Sequence, residues 1–224
     1  MTLKTIYSCD LGQMDFRKSW QIQTQLHERC VAGDIGGAVL CVEHPEVLTM
    51  GKNSSLDHLL LPKKDLEVLG IEIVDTDRGG EITGHEPGQL VLYGILPLAE
   101  LGLSPKKYVC LLEGAIIDTL AEFGIESKRD TENPGVWVGS AKVAAIGVRV
   151  KKRVSLHGIA LNVCNSLKIF EYIVPCGIKN RSMTSITELL NRPVTVSEVA
   201  HILKSKLSES LGALDSIELD ELKF

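Results

Sequence analysis

The sequence predicts an α+β domain in which helices pack on a mixed β-sheet, and two observations predict it. Strand-like runs occur in mixed order with helical stretches placed early, in the middle and late, the pattern of helices laid on a sheet. At 224 residues the chain fits a single domain, residues 1–224, and no linker, composition break, internal repeat or low-complexity segment divides it.

Residues 4–9 alternate weakly, as a short strand does. A helix of about twenty residues follows from Met14, with Trp20, Leu26 and Cys30 among its apolar positions, and stops at Gly33 and Gly36-Gly37. Residues 38–42 and Val47–Met50 read as strands with a kink at Pro45, which has no N–H to give a ladder. His44 beside it is either a site residue or a cap for the bend. A short helix begins near Pro62 and ends at Gly70. Residues 71–76 and 89–96 read as two strands of a hairpin with a long glycine-rich connection. Ser104 with Pro105 opens a helix that is apolar on most faces, expected against the sheet, and closed by Gly124. Beyond Asn133-Pro134 come three extended runs, 135–139, 142–151 and 154–163, the last two joined by a turn at Lys151-Lys152-Arg153. Residues 165–177 are irregular, and Ser185 with Glu188 and Thr195 with Glu198 form capping boxes that open two final helices.

The net charge of −5 gives no pull toward nucleic acid or a membrane surface. Residues 142–182 differ, with eight basic side chains against the single acid Glu171. Such a region suits an acidic partner, or is a solvated hairpin turn around Lys151–Lys152–Arg153. The six cysteines include no CxxC pair and no zinc spacing, so neither a metal site nor a disulfide framework is expected. The N-terminus lacks a signal-peptide pattern, and no apolar run reaches the ~18 residues of a membrane span. A cytoplasmic protein is expected.

Residues 78–93, RGGEITGHEPGQLVLY, hold four glycines between two apolar runs. That composition suits a backbone cradle for a ligand, or a bent loop with His85 as a satisfied core histidine. Lys142 shares strand parity with Ala144, Ile146, Val148 and Val150. It is either a desolvated lysine able to act as a base, or a strand-end lysine that snorkels to water. Cys176, between Pro175 and Gly177, is either a thiolate nucleophile for thioester chemistry or a buried structural thiol. There is no phosphate-loop motif and no G-x-S-x-G elbow.

RGGEITGHEPGQLVLY, AKVAAIGVRVKKRVSLHGIALNV, the IVPCGI…MTSI segment and HPEVLTMG together resemble the ordered motifs of the lipoyl(octanoyl) transferases, over about residues 5–190. The resemblance implies a fold like that of biotin and lipoate protein ligases. It also implies transfer of octanoyl from octanoyl-acyl carrier protein to lipoyl-domain lysines of 2-oxoacid dehydrogenase complexes and the glycine cleavage H protein, the first step of endogenous protein lipoylation. Cys176 would hold the octanoyl thioester and Lys142 would activate it, with no cofactor or metal. The acyl pocket would be lined by Arg78, Gly79, Gly80, Glu81, Ile82, Thr83, Gly84 and His85, by Ala145, Ile146 and Gly147, and by Gly158, Ile159 and Ala160. His85 and His157 would orient the Lys142–Cys176 pair. Three positions depart from the family pattern: Gly84 in place of an aromatic residue, Glu86 in place of glycine, and Lys52 in place of arginine. The first two are expected on the rim of the cradle, with Gly84 leaving acyl-chain space. An ATP-dependent lipoate or octanoate ligase, or a non-catalytic acyl-carrier-binding protein, are the competing readings.

Overall fold

The computed structural model describes residues 5–131, 133–174, 182–212 and 214–217. Among them, eight strands form a mixed sheet. β1 (Ile6–Gln13) runs parallel to β2 (Gly37–Glu43), while β6 (Gln89–Ile95), β10 (Val154–Asn162), β9 (Ala141–Lys151), β8 (Val136–Val138) and β7 (Lys128–Arg129) continue it antiparallel. β11 (Leu214–Ser216) lies parallel to β1 on the other edge. A smaller sheet has β3 (Val47–Met50) between β4 (Glu72–Asp75) and β5 (Thr83–His85).

Alternation along β6 sorts the core into two layers. Leu90 and Leu92 join one apolar cluster, whereas Val91, Tyr93 and Ile95 join another, as the period of two requires. The second layer is covered by α1 (Phe16–Ala32), which turns Phe16, Ile22, Leu26 and Cys30 inward. Asp15 caps it by accepting from the Lys18 N–H, and Gly33, at φ 79°, ends it. The first layer is covered by α3 (Pro105–Glu122) and α5 (Val196–Leu211), capped by Ser104 and Thr195. Each fully buried leucine in these layers, Leu26 and Leu120 among them, contributes roughly 1.5–3 kcal/mol. The small sheet has its own core, in which Leu48, Met50 and Ile82 meet Leu66 of α2 (Lys63–Val68), Ile169 and Phe170 from a 3₁₀ turn at Lys168–Tyr172, and Ile173 just after it. Ser185 caps the short helix α4 (Ile186–Leu190).

Expected and observed elements coincide at most positions, with one correction of topology. The strands on either side of the glycine stretch are not a hairpin: β4 pairs in parallel with β3, and β6 pairs with β2 and β10. Every residue of β6 is buried. Such a strand needs neighbours on both edges and a layer on both faces, and a two-stranded hairpin offers neither. The glycine stretch is therefore a crossing from the small sheet to the large one, with β5 formed within it.

Candidate functional site

The crossing brings residues 78–83 and His85 over β9 and β10, and a cavity of about 460 Å³ lies between them, within the range of small-ligand sites. Arg78, 8% exposed, anchors the crossing. Its guanidinium donates to Thr49 Oγ1 from Nε (3.2 Å) and Nη2 (3.0 Å), and to the Thr49 carbonyl from Nη2 (2.7 Å). The next residue, Gly79, donates its N–H to the Val148 carbonyl at 3.0 Å, so one turn of backbone ties the two sheets together. Opposite it, a Cβ on Gly147 would stand 2.9 Å from the Gly79 carbonyl and 3.1 Å from Arg78 Cδ. The sheets approach this closely only because position 147 is glycine.

Arg78, Gly79, Gly80, Glu81, Ile82, Thr83, His85, Lys142, Ala145, Ile146, Gly147, His157, Gly158, Ile159 and Ala160 all line the cavity. Gly84 does not. Its Cα faces the other way, and a Cβ there would lie 2.7 Å from Ile169, so Gly84 makes room for a core side chain and not for a ligand. Glu86 is also displaced from the expected rim. It is 2% exposed, its Oε1 accepts from Asn165 Nδ2 at 3.0 Å and its Oε2 from Ser166 Oγ at 2.8 Å. Both departures thus act on the segment that leads into and forms the 3₁₀ turn. Cys176 lies outside the described residues.

Lys142 does not snorkel. It is 3% exposed, its Nζ donates to the Pro134 carbonyl at 3.0 Å, and the amine sits 4.9 Å from the centre of the Trp137 ring. The flanks of Cys176 are near neighbours of the site: Ser182 and Thr184 bond the Lys142 backbone, while the Val174 N–H donates to the carbonyl of His58, whose ring contacts Glu81 at 3.1 Å.

The two histidines separate. His85 faces Thr49 and Gln89 and connects toward Lys142. His157 stands opposite Val148 in the β9–β10 ladder, six residues along β9 from Lys142, roughly 20 Å at ~3.3 Å per residue. It therefore does not orient Lys142. Its Nε2–H donates to Asp77 Oδ1 at 2.7 Å, and Asp77 also pairs with Arg149. A carboxylate alone would favour an imidazolium, but this one is already matched by Arg149. Burial first, then Arg78 and Arg149, push His157 down to about 3, so the ring is neutral. Burial, with His44 as a further cause, holds His85 at about 3 as well.

The basic hairpin also separates from Lys142. Lys151 is nine residues along β9 from it, roughly 30 Å away, and Arg149 is neutralised by Asp77. Arg149 and residues 151–153, an exposed turn, thus supply no basic face beside Lys142, while Lys179 and Arg181 of the expected basic region lie outside the described residues.

Phe16, Val91, Tyr93, Asn133 and Pro134 also line the cavity and were not anticipated. Val91 and Tyr93 were within reach of the alternation along β6. Phe16 was not, because nothing in a helix pattern tells which sheet crevice its first turn will enter.

The family model described as "Lipoyl protein ligase A/B catalytic domain" matches residues 15–208. An octanoyltransferase from Syntrophobacter fumaroxidans is 44% identical over 197 residues, covering 88% of this chain and 86% of that protein. A crystal structure of lipoate-protein ligase A bound with ATP superposes with a TM-score of 0.72 at 13% identity, covering 98% of this chain and 91% of that one. Biotin protein ligase from Aquifex aeolicus gives 0.51 at 16% identity, covering 94% and 70%. The fold is the expected one, a biotin/lipoate protein ligase-like mixed sheet backed by helices.

Proposed function

The chain belongs to the lipoyl protein ligase A/B catalytic domain family, and we propose that, as an acyltransferase of that family, it moves octanoyl from octanoyl-acyl carrier protein to a lipoyl-domain lysine through a thioester on Cys176. The acceptors are the lipoyl domains of 2-oxoacid dehydrogenase complexes and the glycine cleavage H protein. The observation that carries this reading is the buried Lys142 amine at the wall of a cavity lined by the glycine-rich crossing.

In the first half-reaction Lys142 takes the Sγ proton of Cys176, and the thiolate attacks the carbonyl carbon of the octanoyl thioester. The carbon–sulfur bond to the carrier breaks, and the carrier thiolate recovers the proton from the lysine ammonium. In the second, the acceptor amine attacks the acyl-enzyme, a carbon–nitrogen bond forms, and the cysteine sulfur leaves with the proton that the amine loses. The thioester supplies the driving force, so ATP is not consumed. Backbone N–H groups of the glycine-rich walls suit the role of oxyanion donors, and the apolar side of the cavity at Val91, Ala145 and Ala160 suits an acyl chain.

The test is intact-mass analysis after incubation with octanoyl-carrier and no ATP. An octanoyl adduct labile to hydroxylamine and absent in Cys176→Ser is expected, and Lys142→Ala is expected to lower its rate of formation at least 100-fold. An adduct that survives Cys176→Ser, or transfer that requires ATP, overturns the reading in favour of a ligase.

A further inference from the structure

We propose that Asn162 is a positioning residue for Lys142, acting through residues 182–184; this rests on the role given to Lys142 above. β10 pairs with β9 only as far as Leu161 opposite Ala144. Beyond that point the backbone of Lys142 is held by another segment: its N–H donates to the Ser182 carbonyl at 2.9 Å, and its carbonyl accepts from the Thr184 N–H at 3.0 Å. What fixes that segment is the side chain of Asn162, 1% exposed, whose Nδ2 donates to the Thr184 carbonyl at 3.0 Å. One residue, Thr184, is thus gripped by Asn162 through its C=O and grips Lys142 through its N–H.

The other end of Asn162 is equally committed. Its Oδ1 accepts from Gln89 Nε2 at 2.9 Å and from Asn165 Nδ2 at 3.2 Å. Gln89 Oε1 accepts from His85 Nδ1 at 2.7 Å, His85 Nε2 faces Thr49 Oγ1 at 3.4 Å, and Thr49 Oγ1 accepts from Arg78. The protons fit one direction only. Arg78 occupies the lone pairs of the Thr49 hydroxyl, so its hydrogen points to His85 Nε2, and the single His85 proton is on Nδ1, facing Gln89. A neutral His85 is what this chain requires and what its burial gives. The cradle and the candidate base are therefore joined by a continuous buried hydrogen-bonded network with Asn162 at its junction, and such networks hold geometry through every member.

The test combines amide exchange with steady-state transfer. Asn162→Ala is expected to cut exchange protection at the amides of Lys142 and Thr184 tenfold or more while β6 keeps its own. It is also expected to lower kcat about 10- to 100-fold with KM for the octanoyl donor within twofold. Asn162→Leu, a close steric match that removes the donor to Thr184 without opening a cavity, carries the same expectations where the alanine variant fails to fold. Unchanged protection at Lys142 and Thr184 overturns the proposal, and so does a kcat within twofold of wild type once protection is lost. A wild-type chain that forms no Cys176 adduct overturns the transfer reading instead, and the exchange result then stands alone on whether Asn162 holds Lys142 in place.

Discussion

At position 84 the family's usual aromatic residue is replaced by glycine, and Ile169 occupies the space beside it, 2.7 Å from where a Cβ would stand. The contact is with a fully buried branched side chain packed among Leu48, Ile82 and Phe170, so it cannot swing aside. Gly84→Phe is expected to destabilise the chain by about 1–3 kcal/mol through overpacking. Trimming the obstruction should reverse part of that loss, so the double variant Gly84→Phe with Ile169→Ala is expected to be more stable than Gly84→Phe alone. Urea unfolding of the two variants measures this, and additive losses would show that the sites do not share one space. Because Gly84 faces away from the cavity, the substitution bears on the 3₁₀ turn and not on acyl-chain length. From the sequence it looked like added pocket space. Glycine signals that something is close without saying which face it is on.

Elements were legible where the signal is local. Ser104, Ser185 and Thr195 cap the helices they were expected to open, and Gly33 and Gly124 take positive φ after theirs. Pairing was less legible, since a parallel partner such as β3 for β4 leaves no turn to read, and β5 is three residues long inside a glycine-rich run. Lys142 and the crossing could be named from motifs, but Asn162, Gln89 and Thr184 could not be joined before the strands were in register. The β9–β10 hairpin is a case where element and residue preferences conflict. Its turn sets Lys152 at φ 49° and Arg153 at φ 67°, a pair of left-handed conformations that Asn-Gly adopts far more readily. Lys152→Asn with Arg153→Gly is expected to raise stability by about 0.5–1 kcal/mol, measured by urea unfolding. An unchanged or lower midpoint would mean that the two long side chains compensate their own strain.

At the scale of the whole molecule, the place where α1, the small sheet and the large sheet converge is filled by rings: Phe16, Trp20 and Tyr93 with His44, His85 and His157, at centroid spacings of 5.4 to 6.4 Å. Burial is the main cause that lowers all three histidines, His44 to about 4 and the other two to about 3. For His44 and His85 the bonds also fit a neutral ring. His44 gives its Nδ1–H to the Met14 carbonyl and accepts the Tyr93 hydroxyl on Nε2; His85 has the single-proton arrangement already described. In the unfolded chain a histidine titrates near 6.5. Above that pH both states are neutral and nothing is gained or lost. As pH falls below it the unfolded chain takes up protons that the folded chain refuses, so stability is present above the unfolded value and lost on the way down to the folded one. By pH 5 the loss is on the order of 2 kcal/mol for each histidine. Three together approach the ~5–15 kcal/mol that holds a typical domain, so the convergence of the sheets is expected to give way in mild acid, before most carboxylates titrate. Denaturant unfolding at steps from pH 7 to pH 5 is expected to show stability falling with a slope that rises toward three protons per chain. A slope of less than one proton across that interval would mean that the rings are reached by water and that the two sheets do not seal the cavity between them.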